Sequence, residues 1–479
     1  MTTDQILTVE QKRARLRQLL ASQSNGAGED AESAQTPGDC AQSVQTPGAP
    51  TGSHYTRQTL DTFSSADETA YGEIDRFSQW VQDASADNAY PLEAYRTDTQ
   101  DTAVQIQRMD GSALDVLSFA SYSFYLGYSR HPDVITAAKD ALDQYGLGSG
   151  SSPLIGGRLE LHMALEQAVV DFMGLPDRSV SIFPSGFGAN TGTISAFVKP
   201  GDTIVFDEVC HASLTEGAQL SGADVRLFRH NDADHLASIL QRIRARPDGA
   251  AIRILVGMEG CYSADGDYGK LDQLVPIAKH YGAKVLVDEA HSMLMIGPEG
   301  RGMAAEMGVL EEVDLLMITF SKAFGGIGGA CYAPKKIAQY LNFFAKSRMF
   351  SCALDPAVTA GVTRVLEMAG NADGDARRTR LLANGKRLRS LLRGRVNIGL
   401  SESWIVPVIF GEDALTLPVL DYIQRHGLDA GVMQYPAAPP GQARLRFFVT
   451  SEHTEEQLVR AAEVIRGAAV EFDFCLNDK

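Results

Sequence analysis

The chain has 479 residues, of which 44% are hydrophobic and 22% charged, with a formal net charge of −17. That length can bury a substantial core, the composition implies nothing fibrous or membrane-spanning, and the acidity argues against a nucleic-acid partner, because phosphate neutralisation needs a basic face. Six cysteines, Cys40, Cys210, Cys261, Cys331, Cys352 and Cys475, show no CxxC or metal-ligand spacing, so no metal centre is expected and a reducing, cytoplasmic setting is.

The first residues lack a basic flank leading into an apolar core, so no signal peptide is read. No apolar run approaches the roughly 20 residues of a membrane span. Over residues 1–21, Ile6, Leu7, Val9, Leu16, Leu19 and Leu20 recur at helical spacing among Lys12, Arg13, Arg15 and Arg17, which predicts a short amphipathic helix. Residues 22–70 turn to Gly, Ser, Ala, Gln, Thr and Pro, with a near-repeat at 33–38 and 43–48. Too little apolar surface is present there to offset the entropy of ordering, and a flexible linker is expected.

Residues 71–120 form an N-terminal segment of the globular part. From 121 to 370, apolar runs at 180–183, 203–206, 252–256, 284–287 and 314–318 alternate with helical patterns such as 161–173 and 271–281. That alternation predicts an α/β fold, a mostly parallel sheet covered by helices. A basic helical stretch at 377–393 and strand-like runs at 404–409 and 444–449 predict a smaller C-terminal α+β domain over 371–479.

Two of the predicted strands deliver chemistry. Asp288 and His291 follow Lys284-Val285-Leu286-Val287, and Thr319 and Lys322 follow Leu315-Leu316-Met317-Ile318. In an open α/β sheet the carboxyl ends of the strands are where ligands bind. An acid, a histidine and a lysine converging there suit pyridoxal phosphate (PLP): the lysine for a Schiff base, the acid for the pyridine nitrogen, the histidine for the ring oxygen. Each residue also has a plain structural reading, as a helix cap or an exposed strand-end lysine. The turn Ser185-Gly186-Phe187-Gly188 between a strand and a helix offers backbone N–H groups to an anion. His211 lies past the next strand on the same edge, where a neutral imidazole can lie flat on an aromatic ring. Gly325-Gly326-Ile327-Gly328-Gly329 leaves room beside Lys322, but lacks the Gly-Lys-Ser/Thr of a P-loop.

The ordered set Tyr125-Leu126-Gly127, His131-Pro132, Gly148-Ser149-Gly150 with His162 and Glu166, 185–190, His211-Ala212-Ser213, Glu259-Gly260, 263–267, 288–291, 300–302, 319–322 and Arg444-Leu445-Arg446 resembles the α-oxoamine synthase family of fold-type I PLP enzymes. The resemblance spans about residues 119–455. It implies a large domain with a seven-stranded, mostly parallel sheet, a smaller C-terminal domain, and PLP as cofactor. It further implies a decarboxylative condensation of an amino acid with an acyl thioester, giving an α-aminoketone. By that resemblance Lys322 forms the Schiff base and takes the α-proton, Asp288 pairs the pyridinium nitrogen, His291 meets the ring oxygen with Ser263 nearby, and His211 stacks on the ring. Ser185, Gly186, Phe187 and Thr319 surround the phosphate, Arg446 holds the amino-acid carboxylate, and Ser123 and Tyr125 lie in the amino-acid pocket. Family members are homodimers, and one phosphate contact comes from the neighbouring chain at the position of Ser351.

Three features depart from the family pattern. Ser123-Phe124 stands where relatives carry Asn or Asn-Asp, Pro153 where many carry arginine, and Cys352 where threonine is usual, so the substrate pockets are altered while the PLP constellation is intact. The N-terminal helix is similar to short helices that meet carrier proteins at the ends of polyketide and peptide synthetase subunits. A carrier-bound thioester is therefore the expected donor, acyl-CoA the second choice, and a solubilising tail the plain reading of the same helix. Another fold-type I activity, an aminotransferase or an aldolase, and a non-catalytic PLP-fold binding module are the competing readings.

Overall fold

The computed structural model describes residues 71–476, apart from 87–89, 99 and 436. The expected N-terminal helix and linker lie outside the described residues. In chain order the strands are β1 (Tyr95–Arg96), β2 (Ala103–Gln107), β3 (Ala113–Phe119), β4 (Arg178–Phe183), β5 (Thr203–Asp207), β6 (Asp224–Phe228), β7 (Ile254–Glu259), β8 (Lys284–Asp288), β9 (Leu315–Thr319), β10 (Gly329–Pro334), β11 (Ile405–Gly411), β12 (Leu428–Met433) and β13 (Ala443–Phe448).

A seven-stranded sheet runs in the order β4-β10-β9-β8-β7-β5-β6. Neighbours from β9 to β6 pair in parallel, while β10 is antiparallel to both β4 and β9. Every residue of β5, β7 and β9 is buried, the pattern of central strands covered on both faces. Alternate side chains serve opposite layers: Leu286 packs with Phe206, Leu255 and Leu315, whereas Val285 and Val287 join the larger core with Val256 and Met258. The edge strand β6 differs. Its first four residues, which include Asp224 and Arg226, are exposed, and charge on an exposed edge discourages pairing with other chains.

Several helices are signalled locally. α1 (Gly72–Ala86) precedes the first strands, and α2 (Pro132–Tyr145) and α3 (Glu160–Met173) precede β4. α4 (Gly186–Phe197) follows β4, with Ser185 as its N-cap, its side chain accepting from Gly188 N–H. α5 (Ala212–Ser221) starts from His211, α6 (Ala233–Arg244) is capped by Asp232, and α7 (Leu271–His280) leads into β8. Such caps satisfy N–H groups that a first helical turn leaves open.

A second, six-stranded sheet is ordered β1-β2-β3-β12-β13-β11. Its C-terminal strands match the expected α+β tail, but β3 pairs in parallel with β12, Leu117 opposite Leu428. The N-terminal segment is thus part of the C-terminal lobe's sheet. Pairing between residues so distant in sequence leaves no local signal, which is why the segment reads as a piece of its own in one dimension. No helix among the described residues is long and apolar enough to cross a membrane.

Register aligns the strand ends. Glu259 stands opposite Asp288, Asp288 opposite Met317, and Gly329 opposite both Thr319 and Phe183. The carboxyl ends of β4, β5, β7, β8 and β9 therefore open on one edge. Because Leu286 is wholly buried at the centre of this sheet, Leu286→Ala should cost about 2–5 kcal/mol, read as a lowered midpoint with unchanged slope in denaturant unfolding.

Candidate active site

Lys322 lies in the turn that follows β9. Its Nζ sits 3.5 Å from the centroid of the Tyr122 ring. Burial drives the ammonium down to about 7, aided by the positive field of Arg446 and opposed by Asp288 and Glu259. An amine about half deprotonated near pH 7 supplies a nucleophile and a base, which an ordinary lysine does not. Ser123 donates its hydroxyl to Ser321 O at 3.0 Å and so ties the preceding segment to this turn.

Asp288 ends β8 and is buried. Its Oδ2 accepts from Asn190 Nδ2 at 2.6 Å and its Oδ1 from Ala290 N–H at 2.9 Å. Burial raises its proton affinity, while the Asn190 amide and the fields of His211 and Lys322 pull it back. Asn190 also donates to Ser213 Oγ at 2.9 Å. Glu259, on the neighbouring strand end, is buried and accepts from the backbone N–H of His211. Burial and the Asp288 charge raise its carboxyl well above the usual range, which favours its acid form beside Asp288.

Two histidines flank these carboxyls. His211 is exposed, and its Nδ1 accepts from Ser213 N–H at 3.2 Å and lies 2.8 Å from Ser213 Oγ. The proton of its neutral ring is therefore on Nε2. Burial of its inner side, then Lys322 and Arg446, lower its basicity against the pull of Asp288. His291 is buried, with Nδ1 3.1 Å from Tyr125 Oη. Burial and the nearby Lys322, Arg446 and His211 keep it well below the ordinary histidine range, and hence neutral. Burial likewise holds Tyr125 as a phenol, able to donate to that nitrogen.

Arg446, on β13, reaches the same edge from the second sheet. Its Nη1 donates to Ser263 O at 3.1 Å, its guanidinium lies 5.2 Å from the Phe448 centroid, and its Nε is buried without a hydrogen-bond partner among the described residues. Arg444 is instead committed to Asp265, at 2.6 Å, and to Gln442. Of the two motif arginines, Arg446 is the one with donor capacity left for a carboxylate.

The opening of α4 packs closely on the ends of β9 and β10. A Cβ on Gly186 would fall 2.5 Å from Thr319 Oγ1, and one on Gly329 would fall 2.7 Å from Gly186 Cα. Only hydrogen fits at either position. Thr319 Oγ1 lies 2.8 Å from Ser321 Oγ, so hydroxyls and the N-terminal N–H groups of α4 face one place.

Most of the expected residues meet here: Lys322, Asp288, His291, His211, Ser185, Gly186, Thr319, Ser263, Arg446 and Ser123. Tyr125 is wholly buried behind His291. Phe187 is exposed on the first turn of α4, and Ser351 follows the short helix at 346–349. Among the described residues no hydrogen bond joins either of them to the cluster. Four members of the site escape sequence reasoning as functional residues: Tyr122, Asn190, Glu259 and Phe448. Asn190 carried a signal, being one helical turn beyond Gly186 and so on the same face. Phe448 is the shared wall, edge-on to Tyr122 at 5.6 Å and stacked 6.5 Å from His291.

A family profile described as aminotransferase class I and II matches residues 115–465. An 8-amino-7-oxononanoate synthase of Klebsiella pneumoniae is 38% identical over 353 residues, covering 73% of this chain and 89% of that protein. Among solved structures, a variant serine palmitoyltransferase from S. paucimobilis, bound to a PLP–myriocin aldimine, superposes with a TM-score of 0.77 at 29% identity over 85% of this chain and 100% of its own. An 8-amino-7-oxononanoate synthase from Francisella tularensis gives 0.63 at 26% identity, over 75% and 99%.

The electrostatics make a direct prediction. The Lys322 amine should react with amine-directed reagents with a midpoint near pH 7, whereas exposed lysines require about 10.4. Reductive methylation across pH, read by peptide mass spectrometry on cofactor-free protein, measures it; a midpoint in the ordinary lysine range would contradict the site's electrostatics.

Proposed function

The chain belongs to the aminotransferase class I and II family, in its α-oxoamine synthase branch, and from that premise we infer a PLP-dependent C-acyltransferase. It condenses an amino acid with an acyl thioester, releasing carbon dioxide, a free thiol and an α-aminoketone. The observation that carries the assignment of its machinery is the Lys322 amine, 3.5 Å from the Tyr122 ring centroid and brought down to about 7 by burial and the charge of Arg446.

The residues fit the cofactor. Gly186, Thr319 and the start of α4 suit its phosphate, Asp288 its ring nitrogen, Lys322 its aldehyde, and the free Nε2–H of His291 its ring oxygen. When bound, PLP supplies an aldehyde that captures the substrate amine and a protonated ring that accepts the electrons released at the α-carbon. Every other task falls to the chain. Arg446 holds the substrate carboxylate through its free donors. Lys322 Nζ takes the α-proton, as its depressed basicity allows. His211 presents an Nε2–H that steadies developing charge on the thioester carbonyl. Asp288, kept basic by burial and aligned by Asn190, keeps the ring nitrogen protonated.

The same reading extends to the assembly. Leu147, Ile155 and Phe350 are exposed at 84%, 77% and 79%, on the segments that carry the Gly148–Gly150 turn and Ser351. Apolar side chains so placed suit a second copy of the chain, which would bring Ser351 toward its partner's phosphate cradle. Among the described residues Cys210, Cys261, Cys331 and Cys352 form no disulfide, which supports a cytoplasmic setting. A carrier-bound donor remains our choice for the thioester, with docking through residues 1–21.

Two experiments test this reading. Lys322→Ala should abolish condensation and the borohydride-fixable attachment of the cofactor, while Arg446→Lys, which keeps the charge but loses the fork, should raise the amino-acid KM by about 10–100-fold. Retained turnover in the first or an unchanged KM in the second rejects the respective role. Deleting residues 1–60 should slow the reaction with carrier-bound donor and spare that with acyl-CoA; equal effects on both would remove the docking idea.

A further inference from the structure

A second polar cluster stands beside the Lys322 site and takes no part in the chemistry above. His230, just past β6, has Nδ1 at 3.0 and 3.2 Å from the two oxygens of Asp207 and Nε2 at 2.7 Å from Asp267 Oδ2. The carboxylate side chains are 0% and 6% exposed. Asn231, with φ of 53°, reinforces both: its N–H reaches Asp207 Oδ2 at 2.9 Å and its Nδ2 reaches Asp267 Oδ2 at 3.1 Å. Tyr262 stands edge-on to the His230 ring at 4.5 Å, and Glu208 accepts the His230 backbone N–H at 3.2 Å.

Asn231 Nδ2 also lies 3.3 Å from Nε2, but the nearest neighbours of both ring nitrogens are carboxylate oxygens, which a ring protonated at both positions satisfies. Burial opposes that charge, but the hydrogen bonds and charges of Asp207 and Asp267 raise the imidazolium to about 10. Asp267 Oδ1 is buried without a hydrogen-bond partner among the described residues, which leaves its charge to be balanced through Oδ2. Removing His230 would expose two buried carboxylates to each other's repulsion.

What the cluster joins gives it a role. Asp207 ends β5, accepts Val209 N–H at 3.1 Å, and so shapes the turn that carries His211. Asp267 lies in the loop after β7. Its carbonyl accepts Tyr262 N–H at 3.0 Å; Ser263 O in that loop seats Arg446, and Asp265 holds Arg444. We propose that Asp207, His230 and Asp267 form a charged clamp that fixes the His211 turn against the Ser263 loop and thereby sets the position of Arg446 for the amino-acid carboxylate. They are positioning residues, and the inference rests on the assignment of Arg446 made above.

Two measurements on the full chain test it. In the PLP-loaded enzyme, His230→Ala and Asp267→Asn should raise the amino-acid KM by about tenfold or more, as expected for a displaced positioning group, with a smaller fall in kcat because the His211 turn loosens with the clamp. His230→Gln, which retains hydrogen-bonding atoms without the charge, should recover part of the loss. An unchanged KM, or a fall in kcat alone that tracks the loss of folded protein, overturns the proposal.

The second measurement uses cofactor-free protein and is independent of turnover. The folded pKa lies above the unfolded one, so the clamp's stabilisation is complete below about pH 6.5 and is lost as pH rises to about 10. Unfolding midpoints of the wild type should decline across that window more steeply than those of His230→Gln. Parallel profiles overturn the imidazolium assignment. If no amino acid and thioester pair is turned over by the wild type, the functional reading fails, while this comparison still decides the clamp.

Discussion

Two cationic side chains, Lys322 and Arg446, share one largely buried pocket, and the arrangement works because one of them gives up its charge. Arginine cannot release its proton under ordinary conditions, so burial and the neighbouring guanidinium act on the lysine. The carboxyls divide in the same way. Asp288 receives an amide N–H and a backbone N–H and lies near two basic side chains, whereas Glu259, with a single backbone donor, is pushed further up. Beside the fixed guanidinium, the pocket thus raises both carboxyls and lowers the amine and the two imidazoles. Each charge state follows from what stands beside the group, which is why the order of strands in the sheet matters more than any single residue.

That order is imposed by packing. The central strands are apolar on both faces and can only be satisfied between layers of helices. Once stacked in parallel they bring their carboxyl ends to one edge. The reversed strand β10 fits the same logic, since it is its first residue, Gly329, that aligns with the ends of β4 and β9. A glycine there, against Gly186, lets two backbones meet at the cradle.

The sheet, its covering helices and the lysine, aspartate and histidines at its edge were legible in one dimension, because each strand is a short apolar run closed by its polar residue. Arg446 was legible only through resemblance, and the choice between it and Arg444 becomes physical once Asp265 is seen to occupy the latter. Tyr122 and Phe448 were not assigned, since an aromatic ring has no pattern of its own until another segment folds over it, and Glu259 stood within the resemblance without a role. Tyr125 reads as a pocket residue, yet its hydroxyl serves His291 from behind. The pairing of β3 with β12 was invisible for the same reason: nothing near Leu117 records that Leu428 will lie beside it.

That last pairing bears on how the polypeptide is made. The hairpin of β2 and β3 leaves the ribosome well before the strand that completes it, β12. Until β12 follows, the flank of β3 is an open row of backbone donors and acceptors, the kind of surface on which nascent chains stick to one another. Completion of the smaller lobe, and with it the arrival of Arg446 at the pocket, must wait until the chain has been made through β13.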